Sequence, residues 1–318
     1  MNQRSKGINA ALISALFLGM APVFGRQAIL LGLSPMAVVA IRTLAAAVIL
    51  LVIMVIFFRK YLYIYPAGLL GCLLAGWING VGSLFYYDSL GRIDAGVGQL
   101  VYSLYPLFLV LWLSLDRQSP SRLTLIRIGL SLPAVFLLTQ NNHQQIDLIG
   151  MGEMLIASAL YALHLPINQR VLYDMPAPTV TLYTLLSMSS VVVPVFLFSD
   201  SAFSLALDHA AWGPLIGLTL VTFFSRITLF LGVKHLGGMQ TALLGLSELL
   251  VTVFFSYLIL HERLSFLQWI GAILLMSSLI LVGLEKTNPR KLQQSAWLNW
   301  LNPPGVTSIP FSDTDREL

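Results

Sequence analysis

The sequence predicts an all-α integral membrane protein, with ten transmembrane helices arranged as two inverted five-helix repeats. Three observations lead there. Of 318 residues, 57% are hydrophobic and only 10% charged, with a mean hydropathy of +0.82, whereas soluble domains carry about 25% charged residues. The apolar residues fall into runs of roughly 17 to 24 separated by short polar punctuation, and a spanning helix takes about 20. Finally, the second half of the chain repeats polar landmarks of the first.

Ten spans read off in order: Ile8 to Leu31, Pro35 to Phe58, Pro66 to Tyr87, Ala95 to Leu115, Leu123 to Thr139, Gly150 to Leu172, Thr179 to Phe198, Ala211 to Leu231, Thr241 to Leu260 and Phe266 to Leu284. The first imitates a signal peptide, with Arg4 and Lys6 before an apolar run and then Gly19, Met20 and Ala21. Pro22 would follow the scissile bond, which argues for a mature helix. An even number of spans puts both termini on one side. Of the 18 Lys and Arg, thirteen fall on that side and three, Arg26, Arg92 and Arg263, on the other, with Arg42 and Arg226 inside spans. By the positive-inside rule both termini are cytoplasmic, in a cell membrane or bacterial inner membrane.

The repetition divides the chain. A shift of 144 places Pro22 and Arg26 on Pro166 and Arg170, and a shift of 143 places Gly76, Asn79 and Ser83 on Thr219, Thr222 and Arg226. On the third span Gly76, Asn79, Ser83 and Tyr87 form one narrow stripe at about 100° per residue. Two units follow, residues 7–139 and 148–284, with a cytoplasmic, disordered tail over 285–318. Five spans per unit is odd, so the second unit inserts upside down relative to the first, the plan of many secondary transporters.

Some chemistries are excluded. The sequence has no Walker-type Gly-x-x-x-x-Gly-Lys, no Gly-x-Gly-x-x-Gly, no His-Glu-x-x-His and no Cys-x-x-Cys, so it predicts no catalytic residues, no metal site, no cofactor and no ATP-driven step of its own. The lone Cys72 cannot form an internal disulfide. The net charge of +4 and pI near 9.2 follow from loop orientation, without nucleic acid as a partner. The partners expected are the lipid bilayer and a small-molecule substrate.

Polar groups inside spans are costly and should face the bundle interior or a watery cavity. They cluster on few helices: Asn79 and Ser83 on the third span, Gln99, Tyr102 and Tyr105 on the fourth, Tyr161 and His164 on the sixth, Thr219, Thr222 and Arg226 on the eighth, and Thr241, Ser247 and Glu248 on the ninth. Each also has a purely architectural reading. Ser and Thr bond their own helix backbone or glue helices, Gly76 and Gly80 suit close helix contact, and His164 beside Pro166 suits either proton relay or a satisfied interior position. Arg26, Arg92 and Arg170 near span ends suit snorkelling. Arg42, about two turns inside the second span, is a candidate gate or anion contact. Arg226 and Glu248 lie at similar depths, about six and eight residues from the cytoplasmic ends of their spans, and can meet as a structural ion pair or as part of a substrate or gating site. The cavity or gating set is therefore Arg226, Glu248, Asn79, Ser83, Gln99, Tyr102, Tyr105, Thr222, His164 and Arg42.

The segments GLSPMAVVAIRTLAAAVIL (32–50), FYYDSLGRIDAG (85–96) and SELLVTVFFSYLILHERLSFLQWIGAILLMSSLILVG (247–283) resemble the two EamA-type repeats of the drug/metabolite transporter superfamily. The resemblance covers about 280 residues. The sequence departs from the family pattern in lacking the usual Trp near Leu18, in following Glu248 with Leu249 rather than Pro, and in keeping the closing Glu only as Glu262. The resemblance implies a carrier whose cavity is lined by helices 1, 3, 4, 6, 8 and 9, with helices 5 and 10 peripheral. It implies export or exchange of a small polar metabolite such as an amino acid by alternating access. The same fold also admits a non-transporting membrane scaffold or assembly partner. A polar, water-accessible central cleft separates the first reading from the dry core of the second.

Overall fold

A computed structural model describes residues 3–115, 122–138, 147–199, 209–261 and 265–280. In order the helices are α1 (Gln3–Leu30), α2 (Pro35–Phe57), α3 (Pro66–Arg92), α4 (Ala95–Tyr102), α5 (Tyr105–Leu115), α6 (Arg122–Leu138), α7 (Leu148–Leu172), α8 (Ala177–Leu197), α9 (Trp212–Leu236), α10 (Gly238–Gly245), α11 (Ser247–Phe255) and α12 (Phe266–Ile280). A π-helical turn, Ser256–Leu260, prolongs α11, and among the described residues there is no strand. Among the described residues, seven helical runs are long and apolar enough to cross a membrane: α1, α2, α3, α7, α8, α9 and the run Gly238–Leu260. The other three expected ranges hold the shorter helices α4 with α5, α6, and α12. Glu262 and the tail 285–318 lie outside the described residues.

Local chemistry sets the helix starts and stops. Ser34 caps α2, its Oγ accepting from the Ala37 amide at 3.2 Å, with Pro35 at the first helical position, where its missing N–H costs nothing. Asp147 caps α7 through the amides of Ile149 at 2.9 Å and Gly150 at 3.0 Å. α9 gives way at Gly237, whose φ of 86° only glycine adopts at little strain, and α10 begins at the next residue.

Lateral faces are turned inside out relative to a soluble protein. On α9, Ile216, Leu220 and Phe224, one every four residues, are exposed, whereas Thr219, Thr222 and Arg226 are buried. The same holds for Leu12 and Leu16 on α1 and Val48 and Val52 on α2, all exposed apolar side chains. With lipid as the surroundings, apolar groups gain nothing by hiding, while polar groups must find partners inside.

Packing repeats between the halves. α1 lies along α9 as α7 lies along α3; α1 meets α10 and α11 as α7 meets α4 and α5; α2 packs on α8, and α6 on α12. Exchanging α1–α6 for α7–α12 thus maps the packing onto itself. Gly76 and Gly80 permit part of it: a Cβ at Gly76 would lie 2.7 Å from the Thr184 carbonyl oxygen of α8, and one at Gly80 3.3 Å from that of Met188. The Gly-x-x-x-Gly pair therefore serves close helix contact.

Two of the apolar runs read as single spans are broken. Between α4 and α5 the chain turns at Ser103 and Leu104, and between α10 and α11 at Leu246. Ser103 and Leu246 are 143 residues apart (246 − 103), the repeat offset itself. At the first break Pro106 has no N–H for the Tyr102 carbonyl, and Ser158 on α7 donates to that carbonyl at 2.9 Å instead. At the second, Gly245 sits against the Tyr105 hydroxyl, where no Cβ fits. These breaks, unforeseen in the run pattern, place the starts of α5 and α11 in the middle of the bundle.

Candidate functional site

Between the two halves lies a cavity of about 40 Å³, lined by Leu18 and Ala21 of α1, Arg42 of α2, Asn79, Gly82, Ser83, Tyr86 and Tyr87 of α3, Gln99 and Tyr102 of α4, Ala157 and Tyr161 of α7, Arg226 of α9 and Glu248 of α11. One water needs roughly 10–15 Å³ of such space, so a few waters fit. Seven of the ten residues named from sequence line it: Arg226, Glu248, Asn79, Ser83, Gln99, Tyr102 and Arg42. α2 joins the expected helices through Arg42. α6 and α12, the expected peripheral pair, contribute nothing among the described residues.

Arg42 enters from α2. Its Nη1 donates to the Thr222 hydroxyl at 3.1 Å, and its guanidinium stacks over the Tyr87 ring 4.5 Å from the centroid, a cation–π arrangement. Thr222 itself donates to the Leu218 carbonyl at 2.8 Å. It thus satisfies its own helix and positions Arg42, without lining the cavity. Arg226, one turn further along the same face of α9, donates through Nη1 and Nη2 to the Asn79 amide oxygen at 3.0 and 3.3 Å, with the amide assigned in the orientation that its neighbours require. The Nε of each arginine and the Tyr87 hydroxyl are buried without a hydrogen-bond partner.

Glu248 stands in the first turn of α11, where the helix dipole favours a carboxylate. It accepts from Gln99 Nε2 at 3.3 Å, and Gln99 Oε1 accepts from the Tyr86 hydroxyl at 3.1 Å. The sequence puts Arg226 and Glu248 within reach of each other. The structure places them on one cavity with different partners, Asn79 and Gln99, and forms no ion pair between them. Each thus meets a neutral amide, Arg226 that of Asn79 on α3 and Glu248 that of Gln99 on α4.

A tyrosine cluster forms one wall. Tyr86 and Tyr102 meet with centroids 4.8 Å apart, Tyr102 and Tyr161 at 5.2 Å, and Tyr161 and Tyr105 edge-on at 5.0 Å. Tyr105 stands behind the lining, its hydroxyl donating to the Ala242 carbonyl at 2.8 Å, which ties the start of α5 to α10. His164 also lies behind it: it is wholly buried, its Nδ1 bonds the Tyr161 carbonyl, and its ring packs on Tyr161 at 4.8 Å. Tyr86, seven residues after Asn79 and so about 20° from it around α3, belongs to the edge of the same face and is a lining residue that the sequence reading leaves out; Gly82 widens that face further. Leu18, Ala21, Gly82 and Ala157 carry no polar signal. Among the described residues no group of three His, Cys, Asp or Glu could hold a metal ion.

Polar contacts lie at both ends of the bundle beyond the cavity, of which Arg26–Asp94, Arg92–Glu153 and Gly238–Gln169 join different elements and Arg92–Asp88, Gln169–Tyr173 and Arg170–Asp174 are local, four residues apart. Toward one end, Arg26 of α1 reaches Asp94 at 3.5 Å and the Leu90 carbonyl, and Arg92 of α3 reaches Asp88 at 3.5 Å and Glu153 of α7 at 3.4 Å. Toward the other, Gln169 of α7 accepts from the Gly238 amide at 2.7 Å and donates to Tyr173 at 2.8 Å, and Arg170 pairs with Asp174 at 3.2 Å. Arg26, Arg92 and Arg170, read from sequence as snorkelling anchors, therefore reach acids of the bundle ends.

Comparison with known proteins agrees with this architecture. The model of the EamA-like transporter family matches twice, over residues 5–140 and 148–284. An "uncharacterized transporter sll1319" of Synechocystis sp. (strain ATCC 27184 / PCC 6803 / Kazusa) is 25% identical over 228 residues, 69% of this chain and 67% of that protein. One solved chain, described as the "crystal structure of protein", matches with a TM-score of 0.68 at 13% identity, over 88% of this chain and 97% of its own, a likeness of fold. With both halves matched in tandem, the chain is a multi-pass membrane protein and belongs to the EamA-like transporter family.

Proposed function

We propose that the chain is a secondary transporter that exports or exchanges small polar metabolites such as amino acids, by alternating access through the central cavity. In this reading ten crossings form two inverted five-helix repeats, with both termini in the cytoplasm and the protein in a cell or bacterial inner membrane. The observation that carries the reading is the polar cavity at the seam of the two halves. Arg226 lies ten residues from the end of α9 and Glu248 ten from the start of α10, about 15 Å along each helix, which is mid-depth in a hydrocarbon core of about 30 Å. Ionisable groups at that depth are costly and mark substrate or ion pathways. A space of about 40 Å³ is well short of the several hundred ångströms cubed of a typical ligand pocket. The described state is then a contracted one, and the contacts that join different elements at the two ends are what opening must release.

The test compares metabolites of cells with and without the gene, then measures uptake of the leading candidates into proteoliposomes. Arg226→Met and Glu248→Gln, singly and together, are scored for membrane abundance and transport separately. The double variant is expected to be abundant and to have lost transport. Normal transport by an abundant double variant would move the site elsewhere, and a purified protein that moves none of the metabolites whose levels changed would favour the scaffold.

A further inference from the structure

Three ionisable side chains of ordinarily fixed charge face the cavity, two basic and one acidic: Arg42, Arg226 and Glu248. All are buried, with 5%, 5% and 4% exposure. Counted formally the walls carry one excess positive charge, enclosed by apolar helices. Such an excess is costly in a low-dielectric core unless something brings the opposite charge. Donors are also in excess. Each guanidinium offers five N–H groups, yet Arg42 gives one bond to Thr222 and Arg226 gives two to a neutral amide, and both Nε groups are buried and unpaired. Acceptor capacity is what the arginine side lacks. On the opposite side the Glu248 carboxylate accepts from the neutral Gln99 amide at 3.3 Å and, among the described residues, has no cation paired with it. The two sides are separate, since no ion pair joins Arg226 to Glu248.

We infer that the cavity is built for an amino dicarboxylate, an acidic amino acid whose two carboxylates engage Arg42 and Arg226 and whose ammonium engages Glu248. Two anionic groups and one cation complement two cations and one anion, so the filled site is neutral. A neutral amino acid leaves one guanidinium uncompensated; a plain dicarboxylate leaves Glu248 without a cation; a basic amino acid adds to the excess. The inference rests on the transporter reading above and narrows its substrate by charge.

The experiment uses the full-length protein, purified, with binding read as thermal stabilisation and transport as counterflow in proteoliposomes. The probes are L-aspartate, L-glutamate, L-asparagine, succinate and L-lysine. An acidic amino acid is expected to bind at least tenfold more tightly than asparagine, succinate or lysine. Arg226→Gln should lose most of that preference over asparagine. Glu248→Gln should shift the preference toward succinate, a gain that a merely misfolded variant cannot show. Equal or tighter binding of asparagine or lysine, or no stabilisation by either acidic amino acid in monodisperse wild-type protein, would overturn the inference. Failure of the two ideas is distinguishable: counterflow of a neutral or cationic solute sinks the charge assignment and keeps the transporter, whereas aspartate that binds without ever being moved keeps the assignment and sinks the transporter.

Discussion

Replacing Gly76 by alanine sets two known effects against each other. Alanine is favoured over glycine in a helix by about 1 kcal/mol. Against this, the new Cβ would lie 2.7 Å from the Thr184 carbonyl oxygen, about 0.7 Å inside ordinary contact, and a backbone oxygen of α8 cannot swing aside. It would also press on Ser187, whose hydroxyl donates to the Leu73 carbonyl at 2.7 Å. Overpacking of this kind costs about 1–3 kcal/mol, and a strained interhelical hydrogen bond in a membrane protein adds about 0.6 kcal/mol. The loss wins by about 1–2 kcal/mol, a Tm lower by about 2–4 °C. Gly80→Ala, with its nearest atoms at 3.2–3.5 Å, should lose less, and Gly152→Ala, with nothing within 4 Å, should hold or gain. Thermal unfolding in detergent, followed by size-exclusion fluorescence, ranks the three. A Gly76→Ala protein as stable as wild type, or a reversed order, would refute the close approach of α3 and α8.

The remaining expectations concern topology and the tail. Cys72 is buried, so an impermeant thiol reagent added outside should label Asn142→Cys and Ser201→Cys but not Gln118→Cys or His235→Cys; the opposite labelling would invert the orientation. Deleting residues 292–318 should leave insertion and transport largely intact, and complete loss of transport in a well-expressed deletion would give the tail a role.

How far the sequence exposes this site follows from the cost of polarity in lipid. Asn79, Ser83, Gln99, Arg42, Arg226 and Glu248 stand out in apolar runs because each requires an interior partner, and all six line one cavity. Pairing is less legible than placement. Depth along each helix brought Arg226 and Glu248 together, but helix rotation, which depth does not report, gives them to Asn79 and Gln99 instead. His164 and Tyr105 are interior and still off the cavity, because a buried polar group is satisfied equally by a backbone carbonyl. The helix breaks were hidden by continuous hydrophobicity, although Pro106 and Gly245 beside them are the residues that a break uses. Tyr86, at i+7 from Asn79, shares its face of α3 and is legible from the same periodicity.

Gly237 has a mechanical consequence. It alone connects α9 to α10, so the strut carrying Thr222 and Arg226 and the one leading to Glu248 are the arms of a single hairpin. The acid and the base cannot be drawn apart by sliding one arm along the other, because a one-residue elbow allows almost no slack. Any change in their separation would require flexing at the elbow or at the Leu246 break. Gln169 holds the Gly238 amide beside that elbow, so bending there would have to carry α7 along or break this hydrogen bond.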